Sequence, residues 1–137
     1  MLPRLLHPDQ LQGYRFSGGD HCRLALLSAA GDGGGTLFLE VHDPRDRVPP
    51  HAHHHAAELF FVLRGEVIFH IADRAIHARG GDFVAVPGDT LHDLENPGPD
   101  RLYLLTLLSR DDGFAELLLQ GIPTPLDADD LSVLRGL

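Results

Sequence analysis

Hydrophobic and polar positions alternate with a period near two along most of the chain, in short runs broken by glycine and proline. The runs RLALLSA (23–29), TLFLEVH (36–42), ELFFVL (58–63), EVIFHIA (66–72), DFVAV (82–86) and LYLLTLL (102–108) each read as a strand, with a shorter one at 75–78. Between the first two lies GDGGG, Gly31 to Gly35, which reaches positive φ at no steric cost and predicts a hairpin connection. Residues 43–50 (DPRDRVPP) predict a loop, because Pro44, Pro49 and Pro50 cannot donate to a ladder. The stretch PGDTLHDLENPGPD (87–100) reads as turn and loop chemistry. Short strands at near-regular spacing predict an all-β antiparallel sandwich or barrel.

The pattern changes at the end. Asp112 can cap a helix in which Phe114, Leu117 and Leu118 form an i, i+3, i+4 stripe, ended by Gly121 and Pro123. Asp127 can cap another turn or two carrying Leu131 and Leu134, and both pieces are expected on the barrel's outside. Residues 1–20 show little periodicity and predict an arm with at most one short strand. The expected organisation is one domain over 1–137: an arm (1–20), a β-barrel (21–110) and a helical segment (111–137). Within ELFFVL, an inward Glu58, Phe60 and Val62 leave Leu59, Phe61 and Leu63 outward, and Leu102, Leu104 and Leu107 add apolar surface. One barrel wall cannot bury both faces, which predicts a two-fold homodimer packed sheet to sheet.

Composition narrows the partners. The 137 residues are 43% hydrophobic and 23% charged, an ordinary globular balance, and the formal net charge of −9 argues against a nucleic-acid groove. The one cysteine, Cys22, excludes an internal disulfide, suits a reducing compartment, and reads as a small buried hydrophobe rather than a nucleophile. No apolar run reaches the roughly 18 residues of a membrane span, and MLPRLLHPDQL has too short an apolar stretch for a signal peptide, so a cytoplasmic protein is expected.

Candidate chemistry is concentrated in PPHAHHHAAELFFVLRG (49–65). His51 and His53 share strand parity, Glu58 follows five residues later, and His92 arrives on a separate strand after the Pro87-Gly88-Asp89 turn. Three imidazoles and one carboxylate make a mixed N/O site for one divalent transition metal ion per subunit (Fe, Mn, Ni, Co, Cu or Zn) and a poor one for Ca or Mg. His54 and His55 read as solvated rim residues, although His55 shares the parity of His51. His42, His70 and His77 read as surface or satisfied histidines, and Asp89 and Asp93 as turn residues that can also accept from His92.

These two segments resemble the paired motifs of the cupin superfamily. The first, H-x-H-x4-E-x6-G, is matched by His51, His53, Glu58 and Gly65, and the second, G-x5-P-x-G-x2-H-x3-N, by Gly81, Pro87, His92 and Asn96. Asp89 stands where the family usually has glycine. The resemblance extends over Thr36 to Ser109, and the tail LLSRDDGFAELLLQGIP is similar to that of small single-domain, quercetin 2,3-dioxygenase-like cupins. It implies a cupin-type double-stranded β-helix, a jelly-roll barrel of six to eight strands with a short C-terminal helical segment, and metal ligands His51, His53, Glu58 and His92. The activity expected is a metal-dependent dioxygenase acting on a small phenolic or enol-type substrate, with Glu58 also serving as catalytic base. Phe60, Val62, Phe69 and Phe83 are expected to line the cavity. The alternatives are a non-redox isomerase, epimerase or lyase of a small polar molecule, which needs more charged groups than Arg64, Arg74 and Arg101 at turns, or a non-catalytic ligand-binding cupin.

Overall fold

The computed structural model describes residues 5–29 and 34–136, so most of the predicted GDGGG connection lies outside the described residues. Among the described residues, eleven strands form two antiparallel sheets. They are β1 (Gly13–Arg15), β2 (Cys22–Ala29), β3 (Thr36–His42), β4 (Arg47–His51), β5 (Glu58–Arg64), β6 (Glu66–Ile71), β7 (Arg74–Arg79), β8 (Phe83–Val86), β9 (His92–Glu95), β10 (Leu102–Leu108) and β11 (Ile122–Pro123). Helices α1 (Phe114–Leu119) and α2 (Ala128–Leu134) follow β10 and β11, and a short 3-10 turn covers Pro8–Gln10. One sheet has the order β11-β1-β2-β3-β10-β5-β8 and the other β4-β9-β6-β7. This is the double-stranded β-helix expected for a cupin.

The alternation in the sequence becomes the core between the sheets. Phe60, Val62, Leu102 and Leu104 from the larger sheet meet Val67, Phe69, Ile71 and Leu94 from the smaller one. Leu102 and Leu104 therefore face inward and not outward; only Leu107 of that expected trio is exposed. At the turn between β5 and β6, Gly65 has φ 99°, and a Cβ there would lie 2.9 Å from the Arg101 carbonyl oxygen, so glycine alone fits.

Two strands arise where loops are expected. β4 carries Pro49 and Pro50, and it tolerates them because it is an edge strand whose register slips between Val48 and His51. β9 is a four-residue strand between β4 and β6, too short to stand out from its turn-rich flanks. The N-terminal arm contributes β1, and β11 pairs with it.

The helical segment also differs in detail. The chain passes through positive φ at Asp112 and Gly113, so the Asp111 carboxylate, not that of Asp112, accepts from the Gly113 and Ala115 amides at 3.1 and 3.0 Å. Asp112 pairs with Arg110 instead. Phe114 and Leu118 pack on Leu24, Phe38 and Leu108, residues of the inward faces, so α1 closes one end of the barrel rather than covering its outside.

The outer face does receive α2. Leu126, Val133 and Leu134 cover Ala25, Leu39, Val41 and Tyr103. Asp127 caps this helix as expected, in a reciprocal box with Asp130. Asp130 is fully buried and joins Arg23 (2.7 Å), Arg101 (3.1 Å) and the Tyr103 hydroxyl (2.9 Å). Burial, with the bond to Asp130, pushes the Tyr103 phenol up to about 12. Removing one partner of such a buried cluster leaves charge uncompensated, so Asp130→Ala is expected to cost about 3–5 kcal/mol in urea unfolding. A loss below roughly 1 kcal/mol would show that α2 docks by its apolar side chains alone.

Candidate metal centre

His51 ends β4 and lies directly opposite His92, the first residue of β9, with ring centroids 4.4 Å apart. Glu58 opens β5 in the other sheet, where it pairs with Val86 and Leu108. His53 sits just beyond β4 in the connecting turn, its ring 5.1 Å from His51 and 5.9 Å from His92. Strand parity therefore does not aim His51 and His53 together; the turn through 52–57 does. One ligating atom from each of the four residues falls within 4.8 Å of the others, at a point where both sheets contribute.

The hydrogen bonds around the rings suit ligation. His51 Nδ1 lies 3.0 Å from the Pro49 carbonyl oxygen and His92 Nδ1 2.9 Å from that of Thr90. With Nδ1–H donated to those carbonyls, Nε2 of these two rings is the atom left to face the cluster, and it ligates a metal once it has lost its proton. Glu58 reaches His92 Nε2 at 2.9 Å and His53 Nε2 at 3.4 Å. Burial opposes a charge on Glu58, but the bonds from His53 and His92 outweigh it and hold the carboxyl below the usual range. Burial likewise opposes charge on His92, and Glu58 with the Thr90 carbonyl raises it regardless. The four residues present fit a transition-metal ion.

The remaining histidines fall as expected or nearly so. His54 is exposed and meets Asp89 at 2.8 Å, and His55 is exposed in a turn at φ 62°. Asp89 holds φ 57°, the left-handed conformation that the motif's glycine would take. Neither Asp89 nor Asp93 serves His92: Asp93 pairs with His70 at 2.6 Å. His42 is satisfied but fully buried, not on the surface.

The cluster opens into a cavity of about 570 Å³. Phe60 lines it, whereas Val62 and Phe69 belong to the packed core. Phe83 points outward, 66% exposed, and stacks on Phe61 at 4.6 Å. Charged groups are more numerous than expected: Asp20, Glu40, Asp46 and Arg47 line the cavity, and Arg64, Arg74 and Arg101 do not. Glu40 was legible in principle, since TLFLEVH places it in phase with the inward Phe38. Pairing Glu40 with His42 and Asp46 needed the loop path from 43 to 46, which periodicity does not give.

The family model for the cupin domain matches residues 38–108, just over half of the chain. The protein belongs to the cupin family. Among solved structures, it is similar to a predicted oxalate decarboxylase from Thermotoga maritima, with 22% identity and a TM-score of 0.71 over 78% of this chain and 99% of that one. An RmlC-like cupin from Shewanella frigidimarina gives 16% identity and a TM-score of 0.70, covering 82% and 96%. KdgF from Halomonas gives 17% and 0.61, covering 69% and 84%. At these identities the likeness concerns the fold. A comparison with curated proteins returns no match.

Metal bound only to the native state adds stability, so a chelator is expected to lower the melting temperature of metal-loaded protein. His53→Ala or His92→Ala should abolish that response, and His54→Ala should keep it. The response should also depend on pH. In the metal-free protein Glu58 stabilises above about pH 4.3 and loses this as pH falls through its lowered folded value; His92 stabilises below about pH 6.5 and loses this as pH rises through its raised one. Ligation runs the other way, because Nε2 must be bare. The chelator shift is therefore expected to be larger at about pH 8 than at about pH 5.5, measured by thermal denaturation. An equal shift at both would remove these histidines as ligands.

Proposed function

We propose that the protein is a metal-dependent dioxygenase for a small phenolic or enol-type substrate, with His51, His53, Glu58 and His92 as ligands of one divalent transition metal ion. The observation that carries this reading is the convergence of three imidazoles and one carboxylate beside a cavity walled by Leu24, Phe38, Phe60 and Phe114. A bound ion with these ligands supplies open coordination positions for a substrate oxygen and O2. Glu58 serves as a ligand and as the base that takes the proton of the substrate hydroxyl, its carboxylate being favoured by the two histidines beside it. The apolar wall holds a flat organic ring and excludes water. The likeness of the tail to quercetin 2,3-dioxygenase-like cupins points to the same class.

A specific observation favours a second reading. Asp20, Glu40 and Asp46 in the cavity suit a non-redox isomerase, epimerase or lyase acting on a small polar molecule. Oxygen uptake separates the two. Fe(II)-, Mn(II)- or Ni(II)-loaded protein is expected to consume O2 with a flavonol or catechol panel, and Glu58→Gln to lose at least about a hundredfold of that rate. Turnover that persists without O2 would replace the dioxygenase reading with the second.

The proposed assembly is a homodimer. The outer face of β8, β5 and β10 leaves Phe83, Leu59 and Leu107 exposed beside Phe61, an apolar patch at a sheet edge that α2 does not reach. Light scattering at micromolar concentration is expected to give twice the chain mass, and Phe83→Asp to halve it. A monomeric wild type would remove this assignment.

A further inference from the structure

The cavity beside the proposed metal centre has a polar group whose surroundings are built around it. Glu40, on the inward face of β3, lines the cavity yet is only 7% exposed. One carboxylate oxygen meets His42 Nε2 at 3.1 Å and the other accepts from the Thr106 hydroxyl. On its far side the His42 ring meets Asp46 through Nδ1 at 3.2 Å. A ring with a carboxylate on each nitrogen donates from both, so His42 is an imidazolium. Burial opposes that charge, while Cys22, Asp46 and Glu40 raise the group well above the ordinary histidine value. Asp46, His42 and Glu40 thus form a chain of alternating charge with one negative charge in excess.

This arrangement fixes Glu40 without using it up. A carboxylate offers about four acceptor positions, and His42 and Thr106 occupy two. The remainder border the cavity, where the adjoining wall of Leu24, Phe38, Phe60 and Phe114 offers a ligand no polar partner. The chain contains no lysine, and the one arginine lining the cavity, Arg47, is paired with Glu95 at 3.5 Å. Among the described residues, Arg47 is the one guanidinium on the cavity wall, 70% exposed and engaged through Nε with Glu95, against three carboxylates besides Glu58.

We propose that Glu40 selects the substrate: it accepts a hydrogen bond from a hydroxyl or amine of a neutral or cationic molecule held at the His51, His53, Glu58 and His92 site, and it disfavours an anionic group at the same position. His42, Thr106 and Asp46 position it. The inference rests on the metal-site reading above and names the substrate class for either reaction: an oxygen chelate at one end, a hydrogen-bond donor at the other, and no carboxylate or phosphate.

Three hydroxypyranones with one chelating head test this on zinc-loaded, redox-silent protein by calorimetry. They differ at one distal position: allomaltol carries a methyl, kojic acid a hydroxymethyl, and comenic acid a carboxylate. Wild type is expected to bind kojic acid about tenfold more tightly than allomaltol, and comenic acid at least about tenfold more weakly. In Glu40→Gln, which keeps the shape and drops the charge, the kojic acid preference should shrink to about twofold and comenic acid should recover to within about threefold of allomaltol. Comenic acid as the tightest wild-type ligand would overturn the proposal even if the variant did not fold, as would a series that Glu40→Gln leaves unchanged. Binding of all three that persists in His92→Ala without zinc would overturn the metal reading and this inference with it. Zinc-dependent binding with no preference among the three would overturn the role of Glu40 alone.

Discussion

The site depends on the pairing of β4 with β9, which sets His51 opposite His92 at one end of the smaller sheet. Everything else at the centre is reached from that pair. The turn after β4 returns His53 to the same point, and β5 then begins in the facing sheet with Glu58. Each of these placements uses an irregularity. The register slip in β4 accommodates two prolines, and Asp89 takes a left-handed conformation before His92. A regular sheet would bury these positions as an apolar core, as it does a few residues deeper around Phe60 and Phe69, whose rings lie 4.7 Å apart.

Closure of the barrel's ends divides the structural work from the chemical work. Between the sheets, the apolar cluster consists of side chains almost wholly buried. At the ligand end, α1 seats Phe114 against Phe38 and leaves room for the cavity rather than filling it. On the outside, the Asp130 cluster fastens α2 to the back of the larger sheet. The two buried carboxylates that line the cavity are both engaged. Glu58 is held by two histidines, and Glu40 by His42 and Thr106. Engaging them lowers the cost of burying charge and leaves acceptor positions turned to a ligand.

Much of this was legible in the sequence, for identifiable reasons. Period-two runs located seven strands, and the spacing of His51, His53, Glu58 and His92 picked out the residues that converge. Where the reading failed, a local rule yielded to tertiary context. Proline forbids a central strand but not an edge, so β4 was missed. Asp112 has the right residue type for a cap, yet positive φ at Asp112 and Gly113 hands that role to Asp111. Phe83 is aromatic and close in sequence to the motif, but its place in β8 turns it outward. The inward Glu40 and its partners lie on three segments, and only folding brings them together.

The central claim is that four side chains from two sheets hold one transition-metal ion. Elemental analysis of protein purified without added metal, repeated after loading and dialysis, tests it most directly. The account predicts about one ion per chain in wild type and a near-complete loss in both His92→Ala and Glu58→Gln. Wild type that takes up no transition metal, or variants that retain as much as wild type, would contradict it.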